Sequence, residues 1–319
     1  MPGYFPREGE VAATHHAKTA GSRQDSKRDR LQLWHGARDS LRFLTVWSLP
    51  ARARKDAKDH TFPEDGKTSG RPLGESGPGG LVAFPIVGLL VGATSGVCAT
   101  LGGLFFGPAG AGLGYVAGAA LATGGLHVDG LADSADGLLA PCKTQLERLE
   151  IMKDSRVGSF GVMALVVVEG FKALAAARLW ELVFAHSLRT FFSYITFTSV
   201  VGCIARGLAA AVVCTGTAAK SSGLAASLKP EKSDLVAVLV TSIGLVAATL
   251  GALVAAALAH LSAPWWPVTA ASAWATASGT WIAWHLWCRV RVGGYTGDTL
   301  GAGIELSETA ALAAIATIV

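Results

Sequence analysis

The feature that most limits the fold is a succession of apolar runs, each long enough to cross roughly 30 Å of hydrocarbon. They lie at about 80–104, 108–127, 158–178, 191–214, 235–261, 265–288 and 301–319. A backbone inside hydrocarbon must satisfy its own N–H and C=O groups, so uninterrupted runs of this length read as helices. Their abundant Gly and Ala match helices that pack closely within a bilayer. The expected fold is an all-α polytopic integral membrane protein with about seven transmembrane helices. The last run is the least typical, because Glu305 and Glu308 lie in its first turns. Charge is scarce at 16% of the chain, against about 25% in soluble domains. It is also unevenly spread: residues 1–76 hold 14 of the 27 Lys and Arg and 10 of the 23 Asp and Glu.

These patterns divide the chain into a polar, disordered tail over 1–32, an amphipathic helix and loop over 33–79, and a transmembrane catalytic domain over 80–319. The tail has no apolar h-region and does not read as a signal peptide. Basic residues orient the domain. With the N-terminal region inside, the connections 128–157, 215–234 and 289–300 also fall inside, and they carry Lys143, Arg148, Lys153, Arg156, Lys220, Lys229, Lys232, Arg289 and Arg291. The opposite connections, 105–107, 179–190 and 262–264, hold little charge, as the positive-inside rule expects. The chain is therefore expected in the cell (inner) membrane, with its acidic loops facing the cytoplasm. Five scattered cysteines form no Cys-x-x-Cys pair, so neither a zinc site nor a disulfide framework is indicated. No feature points to nucleic acid, and a homo-oligomer stays open.

Three segments carry candidate chemistry. In Gly124-Gly-Leu-His-Val-Asp-Gly-Leu-Ala-Asp-Ser-Ala-Asp-Gly137, offsets of four and seven place Asp129, Asp133 and Asp136 on one helical face. Two carboxylates about 6 Å apart repel by roughly 3 kcal/mol at an effective dielectric near 20. Such a stripe is expected to hold a cation, and magnesium with a phosphate-bearing substrate fits all-oxygen ligands. One of the three could instead cap a helix, as Asp commonly does. Next, Lys153-Asp-Ser-Arg-Val-Gly158 offers Lys153, Ser155, Arg156 and the Gly158 backbone to a phosphate near a helix start. Last, Gly293-Gly-Tyr-Thr-Gly-Asp-Thr supplies Thr296, Gly297 and Thr299 around Asp298, with Glu305 seven residues further on the same face. Inside the spans, Arg206, Glu169 and Lys172 are costly in lipid and so are candidates by default. Arg206 is placed to reach a phosphate, while Glu169 and Lys172 can neutralise each other. His127, two residues before Asp129, could support that aspartate, but a lone His at a helix end is more often structural.

Taken together, three ordered blocks resemble the cobalamin synthase family: Gly124–Gly137, Glu150-Ile-Met-Lys-Asp-Ser-Arg-Val-Gly158, and Gly293-Gly-Tyr-Thr-Gly-Asp-Thr-Leu-Gly-Ala302. The segment Ala83-Phe-Pro-Ile-Val-Gly-Leu-Leu-Val-Gly92 resembles the family's first span. This resemblance implies an adenosylcobinamide-GDP ribazoletransferase, joining α-ribazole or its 5′-phosphate to adenosylcobinamide-GDP with release of GMP. It implies Mg2+ as cofactor and the lipid bilayer as surroundings. The implied metal ligands are Asp129, Asp133, Asp136 and Glu305. Lys153, Ser155, Arg156, Gly158, Arg206, Thr296, Gly297 and Thr299 would bind substrate, and Asp154 or Asp298 would accept the hydroxyl proton. The aspartate spacing is also similar to that of CDP-alcohol phosphotransferases, whose longer Asp-Gly/Ala-Arg motif is not reproduced here. A transporter is the reading from another class, and it would place its site near the midplane on broken helices.

Overall fold

The computed structural model describes residues 79–141, 144–183, 188–220 and 266–318, together with the single residues Thr45, Gly244 and Gly251. The expected tail, the amphipathic segment other than Thr45, and nearly all of the 235–261 run lie outside the described residues. The rest is helical, as the apolar runs require. The elements are α1 (Gly79–Thr123), α2 (Leu126–Leu139), α3 (Gln145–Ile151), α4 (Ser159–Val183), α5 (Leu188–Thr215), α6 (Trp266–Val292) and α7 (Gly297–Ile318). The only extended pairing among the described residues is a parallel bridge between Ala218 and Tyr295.

Helix α1 consists of two antiparallel arms. Gly107 has φ 65° and ψ −158° and reverses the chain just before Pro108. A left-handed φ of this kind favours glycine. The reversal falls at the turn expected over 105–107, and the two arms then pack backbone to backbone. A Cβ on Gly102 would lie 2.1 Å from the Gly110 carbonyl oxygen, and one on Gly114 would lie 2.4 Å from that of Cys98. The first arm meets α5 in the same way, through Gly88 against Gly202 and Gly92 against Thr198. This is the close approach that small residues permit in membranes.

Among the described residues, the helices long and apolar enough to cross a membrane are Ala83–Thr123, Ser159–Val183, Phe191–Thr215 and Gly297–Ile318. Helix α6 is just as long but is interrupted by Ser, Thr, His and Trp, with Arg289 and Arg291 in its last turn. Helix α2 is a separate short element, entered through the left-handed Gly124 and Gly125. It packs beside α7, α4 and α3 at one end of the bundle.

Two apolar cores stack along the bundle. One lies beneath the short helices and includes Phe84, Leu131, Leu138, Met152, Trp284 and Ile304. The other lies further along and includes Tyr115, Leu179, Tyr194, Ile204, Leu312 and Ile315. Buried ionisable side chains fall between them on α4, α5 and α7: Lys172, Arg206, Glu305 and Glu308.

Candidate active site at the aspartate end

The three aspartates of α2 meet different surroundings. Asp129 is exposed, Asp133 is half-buried and Asp136 is buried. Asp136 is fully engaged with backbone. One carboxylate oxygen accepts the Gly158 N–H at 2.6 Å and the other accepts the Gly161 N–H at 2.9 Å. These are free donors at the start of α4, where the helix dipole also favours a negative charge. The carboxylate explains both glycines, since a Cβ at Gly158 or Gly161 would lie 2.4 or 2.5 Å from its oxygens. Asp136 is thus the capping aspartate of the stripe, and it is separated in role from the other two. The Gly158 backbone, expected to meet substrate, is spent on this cap.

Asp129 and Asp133 face the start of α7. A Cβ on Gly130 would lie 2.8 Å from the Asp298 carbonyl oxygen, and one on Gly301 would lie 3.1 Å from His127 Cα. The two helices therefore touch through backbone, which draws Asp298 to the Asp129 and Asp133 face. Burial, followed by the fields of Asp129, Asp298 and Asp136, pushes the Asp133 carboxyl up to about 6. Neither Asp129 nor Asp133 has an ion-pair partner among the described residues. Lys220 is the basic group whose field reaches Asp298. In sequence it is an ordinary basic residue of the 215–234 connection, and its approach depends on the bridge that ties 217–219 to Tyr295. The donor set fits a hard divalent ion in chemistry, being all oxygen and short of positive charge. It does not form a closed cage: among the described residues, no three His, Cys, Asp or Glu side chains make up a complete metal site. A cleft of about 610 Å³ opens beside it, lined by Thr45, Thr123, Val128, Asp129, Val157 and Leu165 among others.

Several expected site residues sit elsewhere or are otherwise occupied. Arg206 is fully buried, paired with Glu308 and 3.3 Å from His127 Nδ1, so it cannot reach a phosphate at the surface. Glu305 is likewise buried, against Lys172, with His127 Nδ1 at 3.8 Å. It lies two turns deeper than Asp298 and does not join the aspartates. Thr296 and Thr299 cap α7 reciprocally: the Thr296 N–H donates to Thr299 Oγ1 at 2.7 Å and the Thr299 N–H to Thr296 Oγ1 at 3.1 Å. Both are buried, which leaves Gly297, open around its Cα, as the accessible backbone of that turn. Asp154 accepts the Arg156 guanidinium at 2.6 Å and the Arg156 N–H at 3.1 Å. These bonds hold its carboxyl down to about 2, too acidic for a useful proton acceptor near neutrality. Lys153 pairs with Glu150 at 2.6 Å on the surface, and Ser155 is exposed.

The arginines at the other end of α2 escaped sequence reading. Arg148 is buried and donates to the carbonyls of Gly137, Leu138 and Ala140 at 3.1, 2.8 and 2.9 Å. Arg291 donates to Leu138 as well, at 2.7 Å. Two guanidinium groups thus close the C-terminal end of the aspartate helix, where free carbonyls and the dipole favour cations. In sequence both are ordinary loop-flanking basic residues.

Residues 37–316 match the model of the cobalamin-5-phosphate synthase family. Curated relatives agree. An adenosylcobinamide-GDP ribazoletransferase of Klebsiella pneumoniae subsp. pneumoniae is 37% identical over 74% of this chain and 86% of its own length. Those of Rhizobium etli and Escherichia coli K12 are 36% and 35% identical over 74% of this chain, and over 84% and 87% of their own lengths. No solved structure matches. The helical bundle, the ordered acidic segments and this extent of similarity lead to one assignment: the chain belongs to the cobalamin-5-phosphate synthase family.

Proposed function

We propose that the protein is an adenosylcobinamide-GDP ribazoletransferase, joining α-ribazole or its 5′-phosphate to adenosylcobinamide-GDP. The activity of the relatives supports this reading, and one structural observation carries it. Asp129 and Asp133 of α2 meet Asp298 of α7 across the Gly130 contact, beside an open cleft at one end of the bundle.

In the reaction, a ribose hydroxyl oxygen attacks the phosphorus attached to the cobinamide arm. The new O–P bond forms as the bond to the leaving GMP breaks, and the hydroxyl proton passes to a carboxylate. Asp298 is the better acceptor than Asp154, because it stands with Asp129 and Asp133 across the Gly130 contact, whereas Asp154 lies in the surface loop before α4. Asp129 and Asp133 would hold Mg2+, with substrate phosphate and water completing its shell, and the ion would neutralise charge on the diphosphate. Asp136 is left out of this set and fixes the helix that carries it. Lys153 and Arg156 are exposed and in local surface pairs. Such pairs are worth only about 0–1 kcal/mol, so a diphosphate can draw both side chains to itself and share its charge with them. Lys220 joins them on the Asp298 side.

The basic connections support a cytoplasmic orientation for this end of the bundle in the cell membrane. The test is an incubation of membranes containing the protein with adenosylcobinamide-GDP and α-ribazole. Cobalamin and GMP are expected only when Mg2+ is present. Asp133→Asn is expected to abolish turnover with the protein still inserted, and near-normal activity in that variant would refute the assignment.

A further inference from the structure

Behind the aspartates lies a set of charges that the proposed chemistry does not use. Lys172 and Arg206 are 0% exposed, and Glu305, Glu308 and His127 are each 2% exposed. Lys172 Nζ contacts Glu305 and lies 3.2 Å from Glu169 Oε1 and 3.9 Å from Glu308 Oε2. Arg206 donates to Glu308, and to the Gly202 carbonyl at 3.3 Å. Its other terminal nitrogen reaches His127 Nδ1 at 3.3 Å. A guanidinium is a donor only, so Nδ1 accepts and the His127 ring is neutral with its proton on Nε2.

A set of this kind is a poor way to add stability, because apolar side chains of similar volume often do as well or better. Its better-attested use is to fix register. Register is weakly held where α2 and α7 come closest: Gly130 lies on the Asp298 backbone and Gly301 on the His127 backbone, so at these two points the helices meet through glycine. A smooth contact between glycines can slide. The charges anchor both partners, since His127 lies two residues before Asp129 and Glu305 lies two turns after Asp298.

We infer that the Arg206–Glu308 and Lys172–Glu305 pairs, acting through His127, are positioning residues that set α2 against α7 and so set the spacing of Asp129 and Asp133 from Asp298. This rests on the metal-holding role proposed for those aspartates.

The test uses the full-length chain in detergent, without substrates, with Mn2+ as the probe read by the EPR signal of the free ion. Arg206→Met combined with Glu308→Leu removes one cation and one anion while keeping volume. This double variant is expected to retain its helicity and thermal midpoint yet bind Mn2+ ~10-fold or more weakly, the range seen when groups supporting a metal's ligands are removed. Should it fail to fold, His127→Asn and His127→Leu carry the test. The Asn side-chain oxygen can accept the Arg206 N–H and should preserve affinity, while Leu cannot and should lose it. Affinity within twofold of wild type in the folded double variant, or equal affinity in the two His127 variants, overturns the positioning role alone. No saturable Mn2+ binding by the wild type overturns both this inference and the metal reading beneath it.

Discussion

Asp133 and Asp136 lie three residues apart on one helical face, yet the structure gives their charges opposite effects on stability. Asp136→Ala removes two charge-assisted hydrogen bonds, to the Gly158 and Gly161 N–H groups. Hydrogen bonds to charged groups are worth about 1.5–3 kcal/mol each. Relief of repulsion at Asp133 returns roughly 1 kcal/mol, leaving a net loss of about 2–5 kcal/mol. Asp133→Asn acts the other way. Its carboxyl is pushed from 3.8 up to about 6, so without metal the ionised form works against the fold. At 1.36 kcal/mol per pH unit the full effect would be near 3 kcal/mol, and water around a half-exposed group cuts this to about 1 kcal/mol. A carboxyl raised in the folded state costs nothing below the unfolded value. The cost grows as pH rises from about 4 to 6 and is complete above that. Thermal unfolding in detergent with EDTA at pH 8, followed by far-UV circular dichroism, reads both changes. Asp136→Ala should melt roughly 5–10 °C below wild type, and Asp133→Asn a few degrees above it. At pH 4 the Asp133→Asn gain should vanish. Equal-signed shifts at pH 8, or a gain that persists at pH 4, would refute the division of the stripe.

Gly161→Ala should destabilise by about 1–3 kcal/mol, because the new methyl meets the Asp136 carboxylate. In the Asp136→Ala background the same change should cost clearly less, a non-additivity measurable by a double-mutant cycle in denaturant. Asp154→Asn should leave turnover within a few-fold of wild type, while Asp298→Asn lowers kcat by roughly 100-fold or more, as loss of a proton acceptor does; initial rates of GMP release check both. Arg148→Gln should cost about 2–4 kcal/mol through lost bonds to three carbonyls at the end of α2. Chemical denaturation of the solubilised protein measures that loss.

The membrane-spanning helical class and the reversal near 105–107 were legible in the sequence because hydrocarbon imposes span length and glycine imposes its own dihedral freedom. So were the acidic segments that identify the family, since Asp129 and Asp133 are grouped by helical spacing alone. What spacing could not reveal is how α2 packs. Packing leaves Asp129 exposed and buries Asp136 on the free N–H groups of α4, a pairing between residues more than twenty positions apart. Nor could it reveal where Arg206 and Glu305 go. Both read as neighbours of the aspartates in a linear view, and each lies in the bundle interior because a partner on another helix, Glu308 or Lys172, neutralises it there. Sequence determines which groups a helix can present. Only packing decides which of them meet water, which meet an opposite charge, and which are left facing each other with a charge still to be balanced.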